Sequence, residues 1–306
     1  MDRARPFAAL LILVACVGAR ADFPIREARW LVPAQRLEAL STQPAPCVTL
    51  PTERAAIASF ALGEAAFRTP LLLGGQAARA GLSCASCHPG GRANKAFVFP
   101  GLSAAPGTAD VTSSIMSHKR GDLIFNPKPI PDLALDPPKV ARDVATLRAF
   151  IRGQIVEEFD GAEPPAAILD GLTTYVRSMA APTCRAAKPV PITLDDAADD
   201  LRSALDLAQA ASARGDQATA ALMIMSARAS LGHIHERYAG TALAKARAHI
   251  IGFDRALQAA QTKLSSGEPI EGAPLAAQAG EMLDAIARAQ SKSLYNPARL
   301  ARALAQ

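Results

Sequence analysis

In the first half of the chain one stretch reads Gly81-Leu82-Ser83-Cys84-Ala85-Ser86-Cys87-His88-Pro89-Gly90-Gly91. Two thiols and an imidazole in so short a run admit three chemistries. A thioredoxin-like pair sits between a strand and a helix of a βαβ unit. The flanks here are a helical pattern over 52–63 and an irregular Pro-Gly-Gly instead. A structural zinc site takes four ligands, and no second cysteine pair lies close by. Covalent haem attachment uses all three residues, because two thiols add to two vinyl groups and the adjacent imidazole reaches the iron. The spacing therefore predicts one covalent haem c, held by Cys84 and Cys87 with His88 as proximal iron ligand.

The N-terminus predicts export. Asp2-Arg3-Ala4-Arg5 precedes an apolar run from Phe7 to Gly18, too short to span a membrane. Two processing routes fit: cleavage after Ala19-Arg20-Ala21, or lipidation of Cys16 within Leu13-Val14-Ala15-Cys16. Both place the mature chain in the periplasm, an oxidising compartment; the second adds membrane association through the lipid. The chain has 306 residues and a net charge of +5, without a long Lys/Arg block. This excludes an obvious nucleic-acid partner. Of the five cysteines, Cys47 and Cys184 remain after Cys16 and the motif are assigned. In such a compartment they are expected to form a disulfide that closes the first domain; two separate buried thiols are the alternative.

Leu62-Gly63, Phe67, a short loop, then Ser83-Cys84-Ala85-Ser86-Cys87-His88 resembles the opening of the bacterial dihaem cytochrome c peroxidase and MauG-like family, over roughly residues 55–180. Ile168 to Met179 resembles the closing helix of a cytochrome c domain, and the resemblance implies that Tyr175 faces the early helix near Phe60. Peroxidases of that family carry two haems, whereas this chain has one CxxCH. The resemblance therefore implies a monohaem relative.

The group opposite His88 decides the function. A Met or His there closes the iron and leaves an electron carrier, whereas an open face admits small ligands. Met116 and His118 are the candidate distal ligands, with Met179 on the last helix also considered. Ile115, Ile124 and Phe125 are expected to line the pocket. The proline-rich 125–133 stretch is expected to wrap its edge as an extended strap. Lys95, Lys128, Arg120 and Arg142 are candidate partners for propionates. The charged stretches 148–152 and 157–161 read as a solvated face.

From Asp195 onward the pattern is helical: 196–213, 217–231, 234–264 with a break near Gly240 or Gly252, 275–289, and a short piece near 297–305. His233, His235, Glu236 and His249 form no site, since positions two apart on a helix diverge. The expected fold class is all-α: a signal (1–21), an extension (22–46), a cytochrome c-like haem domain (47–184), a linker (185–194) and an antiparallel helical bundle (195–306). The expected function is a periplasmic single-electron carrier that meets a redox partner protein. A peroxidase-like or MauG-like enzyme with an open iron, and a haem-based sensor or scaffold, are the alternatives.

Overall fold

The computed structural model describes residues 23–112, 115–135, 138, 140, 142–179 and 188–306. The expected signal with Cys16, and Cys184, lie outside them. The described chain is predominantly helical. Its only strands among the described residues are two short antiparallel ladders. One pairs β1 (Thr42–Gln43) with β4 (Val190–Pro191); the other pairs β2 (Thr108–Ala109) with β3 (Lys128–Pro129).

The first half is built on the crossing of two helices. After the short α1 (Arg36–Ser41), helix α2 (Arg54–Phe67) is rich in alanine, a strong helix former, and buries Phe60, Gly63 and Phe67 along one face. It meets α6 (Ala166–Ser178) at Gly63 and Gly171. There the backbones come so close that a Cβ on Gly63 would sit 2.0 Å from the Gly171 carbonyl oxygen. Tyr175 packs edge-on against Phe60 at 5.2 Å and Phe67 at 5.3 Å between ring centres, a favourable geometry for aromatic quadrupoles. Between α2 and α6 lie α3 (Gly75–Ala80), the one-turn α4 (Cys84–Cys87) and α5 (Val144–Gly153), which continues into a π-helical turn at Gln154–Glu158.

The second half is a helical bundle. Thr193 and Asp196 form a reciprocal capping box that starts α7 (Leu194–Ala213). Gly215, with φ of 78°, turns the chain, and the Asp216 carboxylate caps α8 (Gln217–Arg237) by accepting from the Thr219 amide. So short a connection between two packed helices makes them antiparallel. The expected break falls at Gly240 (φ 102°), while Gly252 lies inside an unbroken α9 (Ala244–Ser265). Helix α10 (Gly272–Ala287) packs on α7 and α9. A final α11 (Pro297–Leu304) lies against α1, where Leu300 joins Ile25, Leu31 and Leu40 in a separate apolar cluster.

The two halves share a single apolar core, because α2 also packs on α7 and α8. The Ser226 hydroxyl donates to the Ala65 carbonyl, and Arg68 of α2 pairs with Asp200 of α7 at 2.7 Å.

Candidate functional site

Helix α4 is a single turn whose placement is fixed from both sides. Gly81, in the left-handed region at φ 80°, ends α3 and sends the chain back so that the Leu82 amide reaches the Ala77 carbonyl. The Ser86 hydroxyl then accepts from the Ser83 amide and opens α4. Beyond it, Gly91 turns the chain in the left-handed region at φ 82°, where a side chain would be strained, and a Cβ there would lie 2.8 Å from the Met179 sulfur. Cys84, Cys87 and His88 thus face one cavity of about 500 Å3.

The wall of that cavity is mostly apolar. Phe67 and Leu172 come from the α2–α6 crossing, and Leu147, Ile151 and Ile155 from α5 and its π turn. Residues 130–133 of the proline-rich stretch run along another side, held where the Leu133 amide donates to the Gly91 carbonyl. Two of the polar groups on the wall are engaged elsewhere. Asp110, which is buried, accepts from the Asn126 amide and the Thr112 hydroxyl. Arg142 donates to the carbonyls of Leu133, Val176 and Met179, and its pKa is lowered by burial and by Arg177.

Burial sets the charge state of the motif. Both thiols are pushed up to about 12, so they stay protonated and neutral at ordinary pH. Burial takes His88 down to about 4, against the opposing pull of the Pro131 carbonyl and Asp132, so the imidazole is neutral. Its Nδ1 is buried without a hydrogen-bond partner. A neutral thiol is a poor nucleophile. The arrangement is suited to contacting a bound molecule more than to thiol exchange.

The other predicted residues fall elsewhere. Met116 is buried but does not line the cavity. His118 is exposed on the surface, where its backbone amide and ring Nδ1 both meet the Asp160 carboxylate. Neither side chain of that pair faces His88. Met179 packs on Gly91. Ile115, Ile124 and Phe125 are exposed and do not line the cavity. Lys128 and Arg142 do line it; Lys95 lines a different cavity, and Arg120 pairs with Glu158 at 2.8 Å. His233 lies 4.0 Å from Glu27, and Glu236 pairs with Arg26. Cys47 is held in a disulfide, whereas Cys84 and Cys87 are free thiols. No disulfide joins two described residues, and Cys184, the partner expected for Cys47, lies outside them.

One wall escaped the sequence reading. The 148–160 stretch is not simply a solvated face: Phe150, Ile151, Gln154, Ile155 and Phe159 line the cavity, while the partly exposed Glu157 and the buried Glu158 both pair with Arg120. The signal was present in the apolar positions 147, 150, 151 and 155, which repeat at helical spacing.

A second cavity, of about 750 Å3, lies at the seam between the halves, with Trp30, Arg68, Tyr175 and Asp200 among its lining. Phe67 and Ser83 belong to both cavities. The charges on its wall are mixed, and nothing there singles out a ligand class.

No family model, no curated protein and no solved structure matches this chain. Among the described residues, no group of three or more His, Cys, Asp and Glu is gathered so as to hold a metal ion. These findings overturn the expected membership of the dihaem peroxidase and MauG-like family, the cytochrome c-like character of the first half and the covalent haem c. The electron-carrier, haem-enzyme and haem-sensor functions that followed from the haem are withdrawn with it. What stands is a mainly helical chain in which an apolar cavity presents two neutral thiols and a neutral imidazole.

Proposed function

We propose that this chain is a binding protein for a bulky, mainly apolar small molecule, taken up in the cavity beside α4. The observation that carries the reading is the cavity itself: about 500 Å3, lined chiefly by hydrophobic side chains, with a buried His88 Nδ1 that has no partner. That volume lies within the range of about 300–1,000 Å3 in which proteins hold drug-sized ligands, and such sites add a few polar groups that fix orientation. Here Cys84, Cys87 and His88 would supply that polar edge, in neutral form. The pKa values of the thiols favour binding over thiol–disulfide chemistry. The basic and apolar N-terminal stretch supports a role outside the cytoplasm as part of the same proposal.

The test uses Nile red as an apolar probe together with the nuclear magnetic resonance signals of the His88 ring. One saturable site is expected, with the bound probe moving the His88 resonances. Val176→Phe, which fills the cavity from α6, is expected to abolish both effects while the helical circular dichroism is kept. Saturable binding that survives Val176→Phe and leaves the His88 resonances unmoved would overturn the reading.

A further inference from the structure

Asp110 carries a charge that the fold buries and does not neutralise. It is 3% exposed, on the wall of the cavity beside α4. Three hydrogen bonds fix its place. Its amide donates to the Leu102 carbonyl at 2.8 Å, and its carboxylate accepts from the Asn126 amide at 3.0 Å and the Thr112 hydroxyl at 2.9 Å. Both donors to the carboxylate are neutral. Each oxygen takes one of these bonds, and an ionised carboxylate has about four acceptor sites, so capacity is left on both. A buried charge ordinarily has a counter-charge, because burial without one is costly.

The other carboxylates nearby follow that rule. Glu158, the other buried carboxylate among the described residues, pairs with Arg120, and Asp132 on the same wall pairs with Arg92. Asp110 makes no ion pair among the described residues. The two cations on the wall do not supply one: Arg142 is engaged by three carbonyls, and Lys128 is exposed on β3. His88 and both thiols are neutral, so the motif does not repel a cation.

The counter-charge is therefore expected from the ligand, and the wall indicates its kind. A metal ion takes several protein ligands, and among the described residues no three or more His, Cys, Asp and Glu gather to hold one. A quaternary ammonium carries no N–H for the open acceptor sites. A protonated amine does, and ring faces such as those of Phe67, Phe150 and Phe159 on the wall attract it further.

We propose that the ligand of this cavity is an amphiphile with a protonated amine, whose ammonium group donates to the Asp110 carboxylate while its apolar body lies along α5 and the α2–α6 crossing. The inference rests on the cavity reading above and narrows it to one chemical class.

The experiment uses the full chain and three probes of equal chain length that differ only in head group: decylamine, decanol and decanoate, each kept below its micellar concentration. They compete with Nile red at neutral pH. Decylamine is expected to displace Nile red at a concentration roughly tenfold or more below that of decanol, since hydrogen bonds to charged groups are the stronger ones. Decanoate is expected to be the weakest of the three. Asp110→Asn, which keeps the size and an acceptor for the Asn126 amide, is expected to bring decylamine level with decanol. Equal competition by the three probes, or a lead for decanoate, overturns the inference and leaves the cavity reading standing. So does an advantage of decylamine that survives Asp110→Asn. Absence of a saturable Nile red site overturns both.

Discussion

Gly63 and Gly171 touch backbone to backbone where α2 crosses α6, and each leaves no room for a Cβ on the other. The crossing places Phe67 and Leu172 on the cavity wall, so the contact is a condition of the site as well as of the fold. Gly63→Ala forces the two helices apart. Overpacking of this kind costs about 1–3 kcal/mol. Urea titration is expected to show the loss, and Nile red affinity is expected to fall with it. A variant as stable as the parent would mean that the helices separate at no cost.

Truncating the wall has a different signature. Ile155 is buried in the π turn and lines the cavity. Ile155→Ala removes apolar contacts and enlarges the space, a change that costs about 2–5 kcal/mol in packed cores. Because the side chain already borders an empty volume on one side, the lower end is expected. Thermal melts and probe titration of the same variant separate the loss of stability from the loss of binding.

The motif predicts two pH limits. The unfolded chain protonates His88 near its ordinary value of 6.5, whereas the folded chain does so only at about 4. Between those values the unfolded state binds the extra proton, so stability falls as pH is lowered from 6.5 toward 4, by at most about 3 kcal/mol. The thiols act at the other end. They ionise near 9 when unfolded and at about 12 when folded. Stability therefore falls as pH rises above 9. Urea midpoints measured across this range should flatten on the acid side in His88→Gln and on the alkaline side in the Cys84→Ser, Cys87→Ser double variant.

Arg68 and Asp200 join the halves, yet the pair contributes little. Both shifts are upward, which favours the charged guanidinium but disfavours the charged carboxylate. Burial raises the Asp200 carboxyl in spite of Arg68, while the Arg68 guanidinium is raised by Asp200 and Glu64 against the larger opposing effect of burial. Both side chains keep more than a third of their surface, 40% and 35%. Solvent screens such a pair, and a double-mutant cycle is expected to give a coupling of about 0.2–1 kcal/mol that shrinks with added salt.

Met116 tests where the site ends. It is buried but stands apart from the cavity. Met116→Leu, nearly equal in volume, is expected to cost less than about 1.5 kcal/mol and to leave Nile red affinity unchanged. A clear change in affinity would place this side chain at the ligand.

The helices of the second half were legible where their punctuation is local. Gly215 with Asp216, and Gly240, mark ends through hydrogen bonds and backbone angles that depend on near neighbours, whereas the expected gap between 231 and 234 lies inside the unbroken α8. The meeting of Phe60 with Tyr175 was also foreseen. The site was legible only in part. Cys84, Cys87 and His88 are adjacent in sequence, so their grouping needed no fold. The opposite wall did need one. Leu147 and Ile155 reach the cavity only because α5 packs on α6, and acidic neighbours masked their stripe. Ile124 and Phe125 misled in the reverse sense, since hydrophobicity alone suggested burial and the loop exposes them. The motif's meaning was read from spacing, and spacing does not report what gathers around it in three dimensions.

The contact of α11 with α1 has a consequence for how the chain is made. Leu300 covers Ile25, Leu31 and Leu40, and the buried Arg237 donates to the Leu40 carbonyl while its own carbonyl accepts from the Leu294 amide. The earliest described segment is thus sealed by residues synthesised much later. Contacts so distant along the chain slow folding, because the loop between them must close before they gain anything. A chain whose α11 is not yet free to dock leaves Ile25 and Leu40 uncovered. Its N-terminal segment stays accessible to chaperones and proteases until that helix has left the ribosome and packed.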